Sequence, residues 1–264
     1  MKSFPGLTPR STQVASRPRP EVTAPGAAVL RYSLVVPVYN EAENIAAFCA
    51  NVRATLPPGY EVLVCYDFDE DNTLPALAAL PEATRPPNLR LVRNTLGRGV
   101  RYAIEAGMRA ATAPVVVVTM ADLSDDYSRA TEMIERAERG AAVVCASRYM
   151  RGGQQKGGPL LKRLLSRVAG VTLHHFAGLP THDATNSFKA YRRDFLAETT
   201  IESPAGFTLA LELTVKAHFG GRRVEEVPAA WSHRSAGQSR FRLFAWLPHY
   251  LHWYVWALRR RWLG

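Results

Sequence analysis

Tyr32-Ser33-Leu34-Val35-Val36-Pro37-Val38, followed by Asn40-Glu41 and an apolar series at helical spacing from Ile45 to Leu56, is the stretch that sets the fold. A short, β-branched apolar run without polar alternation reads as a strand buried on both faces. Pro57-Pro58-Gly59 stops the helix, and Tyr60–Tyr66 repeats the strand pattern. Working outward, the spacing predicts a helix around Leu74–Leu80, a strand at Leu89–Arg93, a helix from Gly99 to Ala111 and a strand at Pro114–Met120. A helix at Ser128–Arg139 and a strand at Ala141–Ser147 follow. Short apolar strands alternating with helices predict an α/β fold with a mostly parallel, doubly wound sheet. Such sheets bind ligands at the carboxyl ends of their strands, where the strand order reverses.

After Tyr149 the pattern loosens. Arg151–Gly158 reads as a polar, Gly-rich loop, Leu160–Phe176 as a helix with basic residues on one side, Thr208–Phe219 as a helix and Val224–Trp231 as a strand. Residues 232–242 form a basic loop, and 241–264 a final aromatic segment. At the other end, residues 1–30 are rich in Pro, Ser, Thr and Arg without apolar periodicity and read as a disordered tail, with a transit peptide as the lesser alternative. They contain no apolar core of a secretory signal. The main domain is expected over 31–240.

The 264 residues suffice to bury a large core without disulfides or structural zinc. Cys49, Cys65 and Cys145 stand far apart with no CxxC, which fits a reducing compartment. A net charge of +10 points to a polyanionic partner: nucleic acid, anionic lipid or a phosphorylated substrate. Nucleic acid has no support beyond charge and scattered aromatics, and is not expected.

The strand ends carry the chemistry. The first ends in Pro37-Val38-Tyr39-Asn40-Glu41, the second in Asp67-Phe68-Asp69-Glu70-Asp71, the fourth in Asp122-Leu123-Ser124-Asp125-Asp126. Any one acid can be a helix cap. Three clusters converging on one sheet edge repel one another unless a divalent cation or a hydrogen-bonding ligand offsets them. Gly97-Arg98-Gly99 reads as a tight turn, since Tyr102 fills the third position of a dinucleotide fingerprint.

Together, Val35–Asn44 (VVPVYNEAEN), Asp67, the Gly-x-Gly turn and Asp122 resemble family-2 glycosyltransferases of the GT-A fold. Ser147-Arg148-Tyr149 with Gly152-Gly153, Asp183–Tyr191 (DATNSFKAY), and Glu226-Val227-Pro228 followed by Arg234, Gly237, Ser239 and Arg240 are similar to the dolichol-phosphate mannosyltransferases among them. The resemblance implies a nucleotide-sugar donor, with Pro37, Tyr39 and Glu41 lining base and ribose and Asp67 bonding the base. Ala121, Asp122 and Ser124 would complete the nucleotide site. Asp122, helped by Asp125, would bind Mg2+ or Mn2+, and Arg148, Arg234 and Arg240 would hold the diphosphate and the acceptor's phosphate. Guanidinium suits that task through bidentate pairing. The chain departs from the family at Met120, where Asp is usual and a thioether is a poor ligand for these hard cations. It departs also at Ser124 for Gln, at Tyr66 and Phe68 for Asp and Gly, and at His233 for Asp.

A hydroxyl acceptor needs a general base, for which Asp183 and Glu212 are the candidates, although Asp183 can equally cap a turn or pair with Arg192. A phosphate acceptor is already ionised. Cationic loops and a weak base signal favour transfer to a polyprenyl phosphate by inverting displacement. A lipid or small-molecule hydroxyl acceptor, and a degenerate nucleotide-binding domain, are the alternatives. The terminal segment joins Phe244, Trp246, Trp253, Tyr254 and Trp256 to Arg259-Arg260-Arg261, as an interfacial amphipathic helix would. The same composition fits a helix packed on the core or an oligomer contact. The expected location is cytoplasmic, peripheral at the cytoplasmic membrane face. His174, His175 and His182 match no known metal spacing.

Overall fold

The computed structural model describes residues 29–204, 206–234 and 243–264. The tail expected over 1–30, except its last two residues, lies outside them, as do Arg240 and most of the basic 232–242 loop.

Strands β1 (Tyr32–Pro37) and β2 (Tyr60–Tyr66) flank helix α1 (Ala42–Thr55) in sequence, and α2 (Thr73–Ala78) leads to β3 (Leu89–Arg93). Helix α3 (Val100–Ala110) then leads to β4 (Val115–Val118), and α4 (Ala130–Glu138) to β5 (Val143–Ser147). β1, β2 and β4 are almost wholly buried, as their unbroken apolar sequences require. On one face α1 buries Ile45, Phe48, Cys49 and Val52, a helical stripe. On the other, α3 comes so close that a Cβ on Gly107 would stand 2.5 Å from Val35 Cγ1 and 2.6 Å from Cys65 Sγ. Glycine is required there.

The remaining elements are β6 (Gln154–Lys156), α5 (Leu160–Ala177), β7 (Lys189–Arg192), α6 (Arg193–Glu198), α7 (Thr208–Phe219), β8 (Val224–Pro228), β9 (Ala230–Ser232) and α8 (Leu243–Leu263). The main sheet runs β3-β2-β1-β4-β7-β5-β8, with β7 alone antiparallel to its neighbours β4 and β5. The chain winds outward from β1 to β3, then returns to the opposite side of β1 at β4. The switch point therefore lies between β1 and β4.

Three sequence expectations change. The Asp183–Tyr191 segment, for which the resemblance implies an acceptor-side loop, is not all loop, because its end forms β7. The strand expected over Val224–Trp231 divides at Ala229. Its first half pairs with β5, whereas β9 pairs with β6, inside the expected Gly-rich loop. The division is fixed by Ala229, whose N–H bonds Ser147 O while its carbonyl accepts from Gln154 N. The helix expected from Ser128 begins as a 3₁₀ turn, capped by Asp126 accepting from Ser128 N at 2.9 Å.

Helix α8 packs against α5 and α7. Trp253 and Ala257 are buried with Leu173, Ala177, Leu211 and Val215 in a third apolar cluster. Much of the aromatic segment thus serves the core, while Phe244, Leu251, Val255 and Trp262 face outward. Among the described residues, no helix is long and apolar enough to cross a membrane.

Candidate active site

A cavity of about 950 Å³ opens at the switch point. The strand ends form its polar half. Pro37 ends β1 and Tyr39 and Glu41 follow it, Asp67 follows β2, and Ala121, Asp122 and Ser124 follow β4; all seven line it. Local bonds position Asp67, Asp122 and Ser124. Asp67 Oδ2 accepts from Gly99 N at 2.7 Å and Oδ1 from Asn94 Nδ2 at 2.7 Å, so the Gly-x-Gly turn is fastened to a cavity residue. Asp122 Oδ1 accepts from Ser124 N at 3.1 Å across Leu123, whose φ of 60° is left-handed. A leucine held there costs about 1–3 kcal/mol, the kind of strain that gathers at functional sites. Phe68, a departure from the family pattern, packs edge-on against Tyr39 with ring centroids 5.2 Å apart.

The other strand-end acids turn away. Asp71 is fully buried and accepts from Asn40 N and Thr73 N, so it shapes the turn bearing Tyr39 and Glu41. Asp69 pairs with Arg93. Asp125, expected as a metal ligand, does not line the cavity: its Oδ2 accepts from Thr119 Oγ1 at 2.8 Å and Met120 N at 3.3 Å. Burial, and then the nearby Asp122 carboxylate, push its pKa up to about 7 and make it a weaker acid. Among the described residues, no three His, Cys, Asp or Glu side chains are grouped to hold a metal. Asp122 offers one carboxylate at the floor, with the His233 imidazole also lining the cavity and Met120 adding only a thioether. That donor set fits a Mg2+-like cation shared with substrate phosphates and water, not a closed protein cage.

Arg148 is the buried cation of the site. Its Nε donates to Asp183 Oδ2 at 2.6 Å and its Nη2 to Asp183 Oδ1 at 2.9 Å and Ser166 Oγ at 3.0 Å. Burial works against its charge, but Asp183 more than offsets this and holds the guanidinium above its ordinary value. Asp183 is itself fully buried, outside the cavity lining, and also accepts from Arg148 N and Asn186 N. It therefore cannot take a proton from an acceptor; it positions Arg148. Arg192, the alternative partner, pairs with Asp194. Glu212 fails as a base for the same reason, accepting from Glu202 N, Ser203 N and Lys216 Nζ in a fully buried position.

Arg234 reaches the cavity and donates to both oxygens of Glu41, at 2.7 and 2.9 Å. Two predicted residues, 193 positions apart, thus meet directly.

Sequence reasoning missed Lys162 and Ser166, one helical turn apart on α5, which line the cavity beside Arg148. Burial, then Arg148, lower the Lys162 ammonium to about 8, against the pull of Asp122. The available signal was the basic side of the 160–176 helix, which did not single out one lysine. Beyond Lys162 the cavity turns apolar, walled by Leu165, Val168 and Ala169 of α5 and by Trp246, Leu247, Tyr250 and Leu251 of α8. The three histidines gather away from it, His174 stacking on His182 at 3.9 Å and His182 Nδ1 meeting Glu226 Oε1 at 2.7 Å.

Among curated proteins, the dolichol-phosphate mannosyltransferase of Pyrococcus furiosus is 27% identical over 228 residues, 83% of this chain and 62% of the relative. This chain therefore spans less than two thirds of that protein's length. The polyprenol monophosphomannose synthase of Mycolicibacterium smegmatis is 28% identical, with 80% of each chain covered. The undecaprenyl-phosphate mannosyltransferase of Micrococcus luteus is 27% identical over 80% of this chain and 87% of its own. Among solved structures, glucosyl-3-phosphoglycerate synthase from Mycobacterium tuberculosis with Mn2+, UDP and glucosyl-3-phosphoglycerate has a TM-score of 0.60 at 16% identity, covering 87% of this chain and 79% of that one. The same enzyme with Mg2+ and UDP gives 0.58 at 17%. Such identities speak for a shared GT-A fold alone. With residues 33–200 matching the family model described as glycosyl transferase family 2, and the sheet order and strand-end motifs in agreement, this chain belongs to family 2 and is a glycosyltransferase of the GT-A fold.

Proposed function

We infer that the chain transfers a hexose from a nucleoside-diphosphate sugar to the phosphate of a polyprenyl-phosphate lipid at a membrane surface. One observation carries this reading: the polar end of the cavity joins an apolar trough between α5 and α8, with Arg148 and Lys162 at the junction. Both candidates for a hydroxyl-activating base, Asp183 and Glu212, are buried and fully engaged. The names of the three mannosyltransferase relatives agree with a lipid-phosphate acceptor.

In this mechanism Tyr39, Glu41 and Asp67 hold the nucleoside and Asp122 lies beneath the diphosphate. A divalent cation held there by Asp122 would neutralise diphosphate charge. The acceptor's phosphate, drawn by Arg148, Lys162 and Ser166, is already an oxyanion and loses no proton. One of its oxygens forms the bond to the anomeric carbon as the bond from that carbon to the β-phosphate oxygen breaks. The electron pair leaves with the nucleoside diphosphate, and attack from the opposite face inverts the centre. Fixed guanidinium and ammonium groups stabilise charge as it develops on the leaving diphosphate. Arg234 would exchange Glu41 for phosphate when substrate arrives, and Arg240, six residues on in the sequence, is proposed to share that task.

The trough requires the protein to meet its lipid at a bilayer. Peripheral docking through α8 on the cytoplasmic face is consistent with three free, buried cysteines. Calorimetric titration of UDP and GDP, each with and without Mn2+, tests the donor half. The reading expects one nucleotide to bind, more tightly with metal. Binding of neither would leave a degenerate domain. Radiolabelled sugar transfer to polyprenyl phosphate in vesicles tests the acceptor half, and transfer to a neutral lipid hydroxyl instead would overturn it.

A further inference from the structure

Glu226, first residue of the Glu226-Val227-Pro228 motif, does not line the cavity, yet its bonds lead there. It stands on β8 with its carboxylate wholly engaged by the turn at 181–183. Oε2 accepts from His182 N at 2.8 Å and from Thr181 Oγ1 at 3.2 Å, and Oε1 meets His182 Nδ1 at 2.7 Å. An ionised carboxylate only accepts, so Nδ1 carries the proton. The Thr181 hydroxyl passes the constraint on: it gives its hydrogen to Glu226 and accepts from Asp183 N at 3.1 Å. Asp183 in turn holds Arg148, which lines the cavity, through both carboxylate oxygens.

The turn is gripped from two sides. A Cβ on Gly170 would stand 2.1 Å from His182 O, so the backbone of α5 lies directly against it. Thr181 and Asp183 are fully buried. Glu226 is in register with Cys145 on β5, three residues before Arg148, so one strand pair carries both ends of this chain of bonds. A drift of about 1 Å in a charged group at a reacting centre costs about a hundredfold in rate, which gives such a framework its value.

We propose that Glu226 is a positioning residue for Arg148. It sets the 181–183 turn from β8, with the His182 ring as its clip, and Asp183 delivers that setting to the guanidinium. Its consequence for transfer rests on the reading of Arg148 as a phosphate-binding cation, whereas the position of Arg148 in the free protein does not.

The charged and titratable groups around the clip are few. On α5, His174 stacks on the His182 ring at 3.9 Å and His175 stands at 6.5 Å. Arg136 of α4 reaches only the Glu226 carbonyl, at 3.2 Å, and directs its charge to Glu132 and Glu225. Burial keeps the Cys145 thiol neutral, and its neighbour Lys189 is held by Ala184 O, Ala210 O and Thr214 Oγ1. The Nδ1–H is present in the neutral ring and in the cation alike. The wild-type clip therefore holds while an imidazole changes charge, between about pH 5 and 8.

Glu226→Gln breaks that indifference. The glutamine oxygen can take both bonds now made to Oε2, but its NH2 then faces Nδ1, which accepts only in the tautomer protonated at Nε2. At pH 8 the ring can adopt that tautomer; at pH 5.5 the imidazolium sets a donor against a donor. NMR of the full chain follows the Arg148 Nε–H resonance, assigned by its absence from Arg148→Lys. Each variant is read against wild type at the same pH, which cancels the titration of Asp125 and Lys162 near Arg148. The resonance should match wild type at pH 8 in Glu226→Gln and leave that position at pH 5.5, towards that of a free arginine. Backbone amides of β2, far across the sheet from β8, should match wild type at both pH values. Adding His182→Ala to Glu226→Gln should abolish the shift at pH 5.5. An Arg148 signal that stays at the wild-type position in Glu226→Gln at pH 5.5, one displaced equally at both pH values, or a β2 pattern lost with it would overturn the proposal and leave Glu226 as a tie between β8 and the core. Should wild type transfer no sugar to polyprenyl phosphate, the function inferred above fails while the Arg148 resonance still decides the role of Glu226.

Discussion

Asp183 grips Arg148 through both carboxylate oxygens, at 2.6 and 2.9 Å, from a position with no solvent exposure of its own. A base would need a free oxygen facing the acceptor, and a strut needs what Asp183 has. Asp183→Asn should therefore destabilise the fold, since breaking one side of a buried ion pair costs about 3–5 kcal/mol. It should also lower transfer by releasing Arg148. Urea unfolding beside a pH–rate profile checks this. Loss of activity with unchanged stability and a vanished acidic limb would restore Asp183 as a base. Arg148→Lys should fail to rescue function, because an ammonium cannot reproduce the two-pronged contact while also reaching Ser166.

Lys162 sets an expectation for pH. Its ammonium, lowered to about 8 by burial and Arg148, is charged below that value and neutral above it. Attraction for an anionic acceptor should therefore fall as pH rises through about 8, and kcat/KM, which reports the free enzyme, should show the limb. Lys162→Arg keeps its charge throughout and should move the limb well to the alkaline side. Steady-state kinetics from pH 6 to 10, at fixed ionic strength, measure both. An identical limb in the variant would mean another group titrates.

Asp125 makes the opposite case, a carboxyl raised to about 7 by burial and by Asp122. Between its ordinary acidity near 4 and about 7 the folded protein holds a proton the unfolded chain has released, so this group makes stability fall as pH rises across that window. Asp125→Asn keeps an oxygen able to accept from Thr119 Oγ1 and Met120 N, and removes the charge. The variant should be more stable than wild type at pH 8, with little difference at pH 4, in denaturant titrations. Metal-dependent nucleotide binding should survive in it and be lost in Asp122→Asn. Loss in both would return Asp125 to the metal site.

What the sequence disclosed follows from the range of the interactions involved. β1, β2 and β4 were legible because a strand buried on both faces must be apolar along its length. Seven residues expected for the nucleotide, from Pro37 to Ser124, line one cavity because the strand order reverses between β1 and β4. β7 was hidden because its first residue is a lysine. Burial of Lys189 is tolerated only because Ala184 O, Ala210 O and Thr214 Oγ1 all accept from it, and pattern reading cannot see those partners. The role of Asp183 was hidden likewise: its partner lies 35 residues upstream. Lys162 was lost among the other cations of α5, since only the fold decides which of them turns inward.

The outer faces of α5 and α8 yield the last prediction. Phe244, Leu251, Val255 and Trp262 recur at spacings that place them on one side of α8, and Leu160, Leu161, Leu164 and Val168 form an exposed apolar strip on α5. Val168 and Leu251 also line the cavity, so its apolar end opens on this surface. Arg259, Arg260 and Arg261, in a chain whose whole sequence carries a net charge of +10, suit an anionic bilayer. Vesicles of anionic lipid should bind the protein, more weakly as salt rises and weakly when the lipid is neutral. Leu164→Glu or Leu251→Glu should each reduce sedimentation with vesicles about tenfold, the worth of one leucine's insertion, with little change in folding stability. Trp253→Ala should do the reverse: Trp253 is buried and bonds Ser203 Oγ at 2.8 Å, so its loss should unfold the helix packing while removing nothing from the lipid-facing surface. Wild-type affinity in both glutamate variants would mean that another surface meets the bilayer, and the trough between α5 and α8 would then need a different guest.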